Sequence, residues 1–432
     1  MNNDFRCITE VNALGIGFGP AGIALAGAIA DSMEYGSASP IGNVRFLEAS
    51  SISAWHPEFI LPGTDINHHV FRDLVTPRNP RSRFSFAMYL HEKGRLYKFG
   101  ILGRPASRQE WSDYVSWVAE QLSHLVSYEQ RVLEILPNVR DGVLVSLDAV
   151  TSGGVWRSKQ LILSTGSYPA IPDAVRPYLG THVFHTSEYL SRIEAFGSRL
   201  PKRWLVIGSG QSASEAIIDI FQRRRDCNVV SLHRSSGFKL AQFGHFPNLA
   251  FVPERVDYFH SLNPDARERL FREVKSTNYA GIDPDESLAL YSMIYEDAII
   301  GRERLTVRPF SELVSVNRHG DCYRIVLRDV FKDEKTELLV DAILLGTGYQ
   351  QPKIPPLLAA LQPWLDVTDE GALSIERDYR IKLKGRCDVS IFANGLSERS
   401  HGISDAQSFS LLALRAGRIF SAMEQQPQTV SI

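Results

Sequence analysis

The chain has 432 residues, enough to bury large cores and fill two or three domains. Its 47 Lys and Arg against 49 Asp and Glu leave a net charge of −2, so neither nucleic acid nor another polyanion is implied as a partner. The cysteines Cys7, Cys227, Cys322 and Cys387 form no CxxC pair, which disfavours disulfide-exchange chemistry and a local zinc knuckle.

In chain order, residues 11–14 are an apolar run that reads as a strand, and Gly15-Ile16-Gly17-Phe18-Gly19-Pro20 follows it. The first Gly of such a fingerprint makes a tight turn off a strand. The second lets the backbone approach a pyrophosphate, and the next helix points its positive N-terminus at the phosphates. Pro20 replaces the third Gly and suits a first helical turn. Residues 21–26 are small and apolar, as a helix packed closely on a sheet requires. Residues 44–47 read as a strand ending in Glu48, placed to accept hydrogen bonds from a ribose, as in FAD. The long segment 51–104, irregular in pattern and rich in His, Pro, Arg and aromatics, is expected to be an ordered active-site wall.

Residues 161–166 read as a strand with a small-residue turn, after which Pro169 and Pro172 mark an exit. A second fingerprint, Gly208-Ser209-Gly210-Gln211-Ser212-Ala213, lies between a strand at 204–207 and a helix through 214–218. The next strand, 229–232, ends in His233-Arg234, and a base there favours the extra phosphate of NADPH. A strand at 342–345, the turn Gly346-Thr347-Gly348-Tyr349, a strand at 389–393 and a helix near 410–423 complete the pattern.

The alternation predicts an α/β protein with parallel sheets: two Rossmann-like dinucleotide-binding domains, the second inserted in the first, plus a small, mostly helical substrate region. The expected boundaries are 1–168 for the first part of an FAD-binding domain and 169–345 for an NADPH-binding domain with a substrate-region insertion at about 240–300. Residues 346–432 form the return segment. Two fingerprints in one chain imply a flavin and a nicotinamide held together for hydride transfer, as in flavoprotein reductases and monooxygenases. Without a signal peptide or bilayer-length apolar run, a soluble cytoplasmic protein is expected, with no membrane partner and a frayed polar tail at 425–432.

The chain resembles the L-ornithine and L-lysine side-chain N-hydroxylating flavin monooxygenases that feed hydroxamate siderophores. The resemblance spans nearly the whole length. Besides the two fingerprints, it rests on Trp55-His56-Pro57, Leu61-Pro62-Gly63-Thr64-Asp65, Asp73-Leu74-Val75-Thr76 and Tyr89-Leu90-His91-Glu92-Lys93-Gly94-Arg95-Leu96. Further matching strings are Thr277-Asn278-Tyr279, Gly346-Thr347-Gly348-Tyr349 and Ser400-His401-Gly402-Ile403-Ser404-Asp405. The resemblance implies N-hydroxylation of a primary amine by O2 through a flavin hydroperoxide, with L-ornithine N5 as the lead site. NADP⁺ would remain bound to exclude water, and no protein nucleophile is needed.

Carried over residue by residue, FAD would meet Gly15, Gly17, Gly19, Pro20, Glu48, Trp55, His56, Asn67, Val132, Ser408 and Phe409. NADPH would meet Ser209, Gly210, Gln211, Ser212, Glu215, Arg234, Asn278 and Tyr279. Arg72, Asn248, Asn278 and Ser410 would hold the substrate, and Asn67 and Asn278 would support the flavin chemistry. The departures cluster at the substrate. Arg72 stands where the family usually has Lys, keeping the charge on a longer, forked head. Asn67 replaces a Gln, and His68-His69 replace smaller residues. Leu249 replaces a Glu, and one residue is inserted near Ser408. Adjacent His side chains rarely share a metal, so no metal is expected.

Other readings are N-hydroxylation of lysine, a shorter diamino acid, or a free diamine or histamine-like amine. A flavin monooxygenase acting on sulfur, tertiary amines or ketones is a further one. Its FxGxxxHxxx(Y/W) motif is approached by residues 178–189, with His185 one place out of register. A catalytically silent NADPH-binding sensor is the last. A homo-oligomer is left open.

Overall fold

The computed structural model describes residues 8–34, 41–242, 244–279, 281–406 and 408–425; Cys7 and the tail beyond 425 lie outside them. Two five-stranded parallel sheets organise the chain. The first orders its strands Ser390–Ala393, Gln160–Leu163, Ala13–Ile16, Val44–Leu47 and Val126–Ser127. The second runs Val183–His185, Ala342–Leu345, Arg203–Ile207, Asn228–Leu232 and Leu305–Arg308. Short apolar runs such as Ala13–Ile16 and Ala342–Leu345 are buried throughout, as strands covered on both faces must be. Ser390–Ala393 pairs with Gln160–Leu163 across more than two hundred residues, so the C-terminal segment rejoins the first sheet. The following helix, Leu412–Glu424, packs on Pro20–Glu34. That helix starts at Pro20, and Ala24, Leu25 and Ala26 are fully buried.

Two sheets with antiparallel pairing, the first of them mixed, escaped the sequence reading. One is built on Val132–Arg140, Val143–Thr151 and Gly154–Ser158, and the other on Ser311–His319, Cys322–Asp329 and Lys335–Val340. The first hairpin turns on Asp141 (φ 51°) and Gly142 (φ 73°), an Asp-Gly pair whose positive φ values match strand twist. That dipeptide, between alternating apolar residues, was the available signal.

Segment 51–104 is more regular than its sequence suggested, with helices at Phe86–Glu92 and Leu96–Leu102. Buried Asp73 ties it together. Its carboxylate accepts the backbone N–H groups of Val75, Thr76 and Phe86 and the Thr76 hydroxyl.

The Ser400–Asp405 string has a packing explanation. His401 is fully buried, stacks on Tyr379 (4.2 Å between ring centroids, 18°) and is kept neutral by burial, at a pKa of about 4. Asp405 accepts from Ser397 Oγ at 2.7 Å and Tyr379 Oη at 3.1 Å, and lies 3.5 Å from Arg415. Arg415 donates to Asn394 Oδ1, whose amide donates to Ser164 Oγ and Ala21 O. This network joins the ends of two strands to the start of the first helix. Among the described residues no helix is long and apolar enough to cross a membrane.

Candidate active site

A cleft of about 770 Å³ opens at the carboxyl ends of the first sheet's strands, where open α/β sheets bind ligands. Gly17, Gly19, Pro20, Glu48, Trp55, His56, Val132, Ser408 and Phe409 line it. Gly15 lies behind the wall, where a Cβ would sit 2.1 Å from the Phe46 ring. Asn67 is exposed and outside the lining.

The glycines divide by role. Gly17 has φ +94°, and a Cβ there would lie 2.4 Å from Ser164 O, so the fold itself requires glycine. At Gly19 a Cβ would meet nothing within 4 Å, so protein packing does not require glycine, and the open space fits close backbone approach by a ligand. Glu48 accepts Phe18 N–H at 2.8 Å on one oxygen and Ser50 N–H at 2.9 Å on the other, which fixes its carboxylate in the cleft wall. The helix beginning at Pro20 turns its N-terminus to the same space. These features fit a dinucleotide's ribose and pyrophosphate.

The far wall is aromatic. Phe409 packs edge-on against Trp55 and Trp111, and His68 stacks on it (5.4 Å between centroids, 27°). Burial holds His68 at a pKa of about 4. His56 is likewise held near 4, by burial and then by the Arg108 charge. Both rings are therefore neutral at pH 7. His68 Nδ1 lies 3.2 Å from the His69 carbonyl, which can only accept, so Nδ1 carries the proton.

Among the substrate candidates, Arg72 and Ser410 come together. Arg72 Nη1 donates to Ser410 Oγ at 3.2 Å, and Ser408 Oγ donates to Ser410 Oγ at 3.0 Å, linking Arg72 to the cleft wall by two hydrogen bonds. Arg72 has no acidic partner among the described residues, and partial burial lowers its pKa. Neighbouring Asp73 is committed to backbone donors. Asn248 lies in the short helix Pro247–Phe251 and donates to Gly244 O at 3.1 Å. Asn278 is exposed at the end of the turn Lys275–Thr277, and no described hydrogen bond joins either Asn to Arg72.

At the second fingerprint, Gly208 has φ +141° and a Cβ would collide with Gly346 O at 2.1 Å. Gly210 caps the helix Gln211–Arg223. Ser209, Gly210, Gln211 and Ser212 are partly exposed at its N-terminus, and Arg234 is exposed just past Asn228–Leu232. Glu215 is turned elsewhere: buried, it is held by Arg108 and Gln211. Tyr279 donates to Glu398 Oε1. Sequence reasoning passed over Arg108, Asn394 and Arg415. Arg415 lines the cleft with its Nη1 lacking a hydrogen-bond partner, and the only sequence signal for it was a charge inside an apolar helix.

Beside Gln211, carboxylates of Asp283, Asp285 and Glu286 gather within 4.8 Å. Burial and its neighbours lift Glu286 to about 7 from an ordinary 4.5. The folded protein thus holds a proton that the unfolded chain releases across that window, so stability falls as pH rises through it. Glu286→Gln is expected to leave the melting temperature unchanged at pH 4.5. At pH 8 it should stabilise by about 1 kcal/mol, a figure discounted for partial exposure. Equal melting curves at both pH values would contradict this.

Comparison with known proteins places this geometry. The profile of L-lysine 6-monooxygenase/L-ornithine 5-monooxygenase matches residues 9–351. The chain belongs to this family. It is an FAD- and NADPH-dependent N-hydroxylating monooxygenase with two dinucleotide-binding sheets. The L-lysine 6-monooxygenase from Pseudomonas syringae is 55% identical, with a TM-score of 0.89 covering 97% of this chain and 100% of that one. The L-ornithine N(5)-monooxygenase of Pseudomonas aeruginosa is 33% identical over 95% of this chain and 93% of its own length. The ornithine N-hydroxylase of Kutzneria sp. 744 has a structure with reduced FAD, NADP⁺ and L-ornithine. It is 31% identical, with a TM-score of 0.89 over 96% of this chain and 99% of that one.

Proposed function

We propose that this family member hydroxylates the side-chain amine of L-ornithine, held through its α-carboxylate by Arg72. The observation that carries the reading is Arg72 itself: a part-buried guanidinium pinned by Ser410, two hydrogen bonds from the cleft wall, without a carboxylate partner among the described residues. A free cation of this kind suits a substrate carboxylate, bound bidentately.

FAD, when bound in the cleft and reduced by NADPH, supplies transfer of one oxygen atom of O2 to the amine nitrogen. The rest falls to the chain. Glu48, Gly19 and the helix beginning at Pro20 hold the dinucleotide, and Ser209 to Ser212 with Arg234 take NADPH. Asn278 faces the nicotinamide side and the amine in this reading, and Asn248 the amino-acid end. The amine must be neutral to react, since an ammonium has no lone pair. Free aliphatic amines titrate near about 10.4. Apolar surface around Trp55, Phe409 and the neutral His68 excludes water and disfavours the charged form. No basic side chain is required to act as nucleophile.

Chain length at Arg72 favours ornithine over lysine. A guanidinium reaches further than the ammonium it replaces and shortens the distance left for the substrate. L-lysine is the second reading, supported by 55% identity to the Pseudomonas syringae enzyme. The deciding experiment measures hydroxylamine formation per NADPH for ornithine, lysine, 2,4-diaminobutyrate, putrescine, cadaverine and histamine. Ornithine should have the highest kcat/KM. A higher value for lysine would move the assignment, and turnover of decarboxylated amines alone would remove Arg72 from carboxylate binding. The N-hydroxylated amine is the kind of product an acyltransferase converts into a hydroxamate.

A further inference from the structure

A buried ion pair, Arg108 with Glu215, joins the two nucleotide-binding bodies. The helix Arg108–Gln121 belongs to the flavin side, where Trp111, Tyr114 and Val115 are fully buried in the core beneath the first fingerprint. Its first residue is fixed by the loop that leads to Asn67 and Arg72. Arg108 donates its backbone N–H to Thr64 O at 3.0 Å and its Nε–H to Asp65 O at 3.2 Å. The guanidinium then reaches across. Nη1 donates to Glu215 Oε2 and Nη2 to Glu215 Oε1, each at 2.7 Å. Glu215 stands one turn into the helix of the second fingerprint.

The contact extends to a third region. Gln211 Nε2 donates to Glu215 Oε1 at 2.8 Å, and Gln211 Oε1 accepts the backbone N–H of Asp283 at 2.8 Å. Asp283 precedes the helix Pro284–Ile299. The linked side chains of Arg108, Glu215 and Gln211 therefore register the substrate loop, the nicotinamide helix and the helical region against each other. The side chains of Arg108 and Glu215 are only 14% and 3% exposed. A pair so deeply buried is weak evidence of net stability, because loss of hydration offsets the attraction. What a two-pronged fork contributes is fixed geometry. By contrast, the Ser191 N–H to Glu58 bond, also between the two sides, is exposed. Arg108 is also close enough to the cleft wall to help keep His56 neutral.

We propose that Arg108 and Glu215 are positioning residues, which set the nicotinamide-binding helix in register with the flavin cleft for hydride transfer. This rests on the cofactor reading above. In the step they serve, NADPH would give a hydride, two electrons and one proton's nucleus, to the flavin and become NADP⁺. Such a transfer needs near-contact alignment, and a displacement of about 1 Å from a remote change can lower a rate roughly a hundredfold.

The test uses FAD-loaded Glu215→Gln, Arg108→Gln and the double variant, mixed anaerobically with NADPH in a stopped-flow instrument. Each single variant should lower the limiting rate of flavin reduction about tenfold or more. The double variant should lose no more than the worse single, because both act through one contact. Bound FAD per chain and its reduction by dithionite, which needs no nicotinamide alignment, should match the parent. If a glutamine variant fails to hold FAD, Arg108→Lys keeps the charge without the fork and should still reduce slowly. Parent-like limiting rates, a change confined to the NADPH half-saturation, or additive losses would overturn the positioning role. A parent enzyme that NADPH cannot reduce would instead overturn the cofactor reading.

Discussion

Gly19→Leu is expected to give a folded protein that no longer retains FAD. A Cβ at this position meets no protein atom within 4 Å, so the leucine enters the cleft rather than the core. Its melting temperature without flavin should stay within about 2 °C of the parent's, as for substitutions that disturb no packing. FAD affinity should fall by about two orders of magnitude or more, because the side chain occupies the path of the pyrophosphate and shields the helix N-terminus behind it. Gly17→Ala makes the contrast. Its φ of +94° and the Ser164 carbonyl 2.4 Å from a Cβ make that substitution a defect of the fold, lowering the melting temperature of the flavin-free protein as well. Fluorescence titration with FAD and thermal melts of both variants check the pair. Tight FAD binding by Gly19→Leu would place the dinucleotide elsewhere.

Arg72→Ala should separate substrate binding from cofactor chemistry. Removing a charge-assisted contact to a carboxylate forfeits about 1.5–3 kcal/mol, a rise in KM of roughly ten- to a hundredfold for the amino acid. NADPH oxidation without substrate should be unchanged, because Arg72 does not line the flavin cleft. Arg72→Lys should recover part of the loss, since the charge remains but the bidentate fork does not. Steady-state kinetics with ornithine and oxygen consumption without it check both halves. An unchanged KM would show that the carboxylate binds elsewhere.

Much of this was legible in the sequence because the fingerprints combine local and long-range demands. A glycine forced by φ, a helix opening on small residues and a strand ending in an acid leave distinct marks at fixed spacing, as Gly17, Pro20 and Glu48 do. The meeting of Arg72 with Ser410 could be anticipated only through resemblance, since 338 positions separate them. The antiparallel hairpins were readable from Asp141-Gly142 but were overshadowed by the stronger parallel pattern. Arg108 carried no mark at all. It stands among ordinary surface-like residues at a helix start, and its importance comes from Glu215, more than a hundred positions away. Glu215 looked like a cofactor contact because it belongs to the fingerprint string, whereas its carboxylate is used between the two halves of the protein. Sequence proximity to a motif does not reveal which way a helical side chain turns; that depends on what packs against the helix.

The most direct test of the account is oxygen transfer itself. The FAD-loaded enzyme, NADPH and L-ornithine would be incubated under ¹⁸O2 and the product analysed by fragmentation mass spectrometry. The account predicts one ¹⁸O atom on the side-chain nitrogen of ornithine, formed in step with NADPH oxidation. Labelled hydrogen peroxide with unmodified ornithine, or ¹⁸O at any other atom, would contradict it.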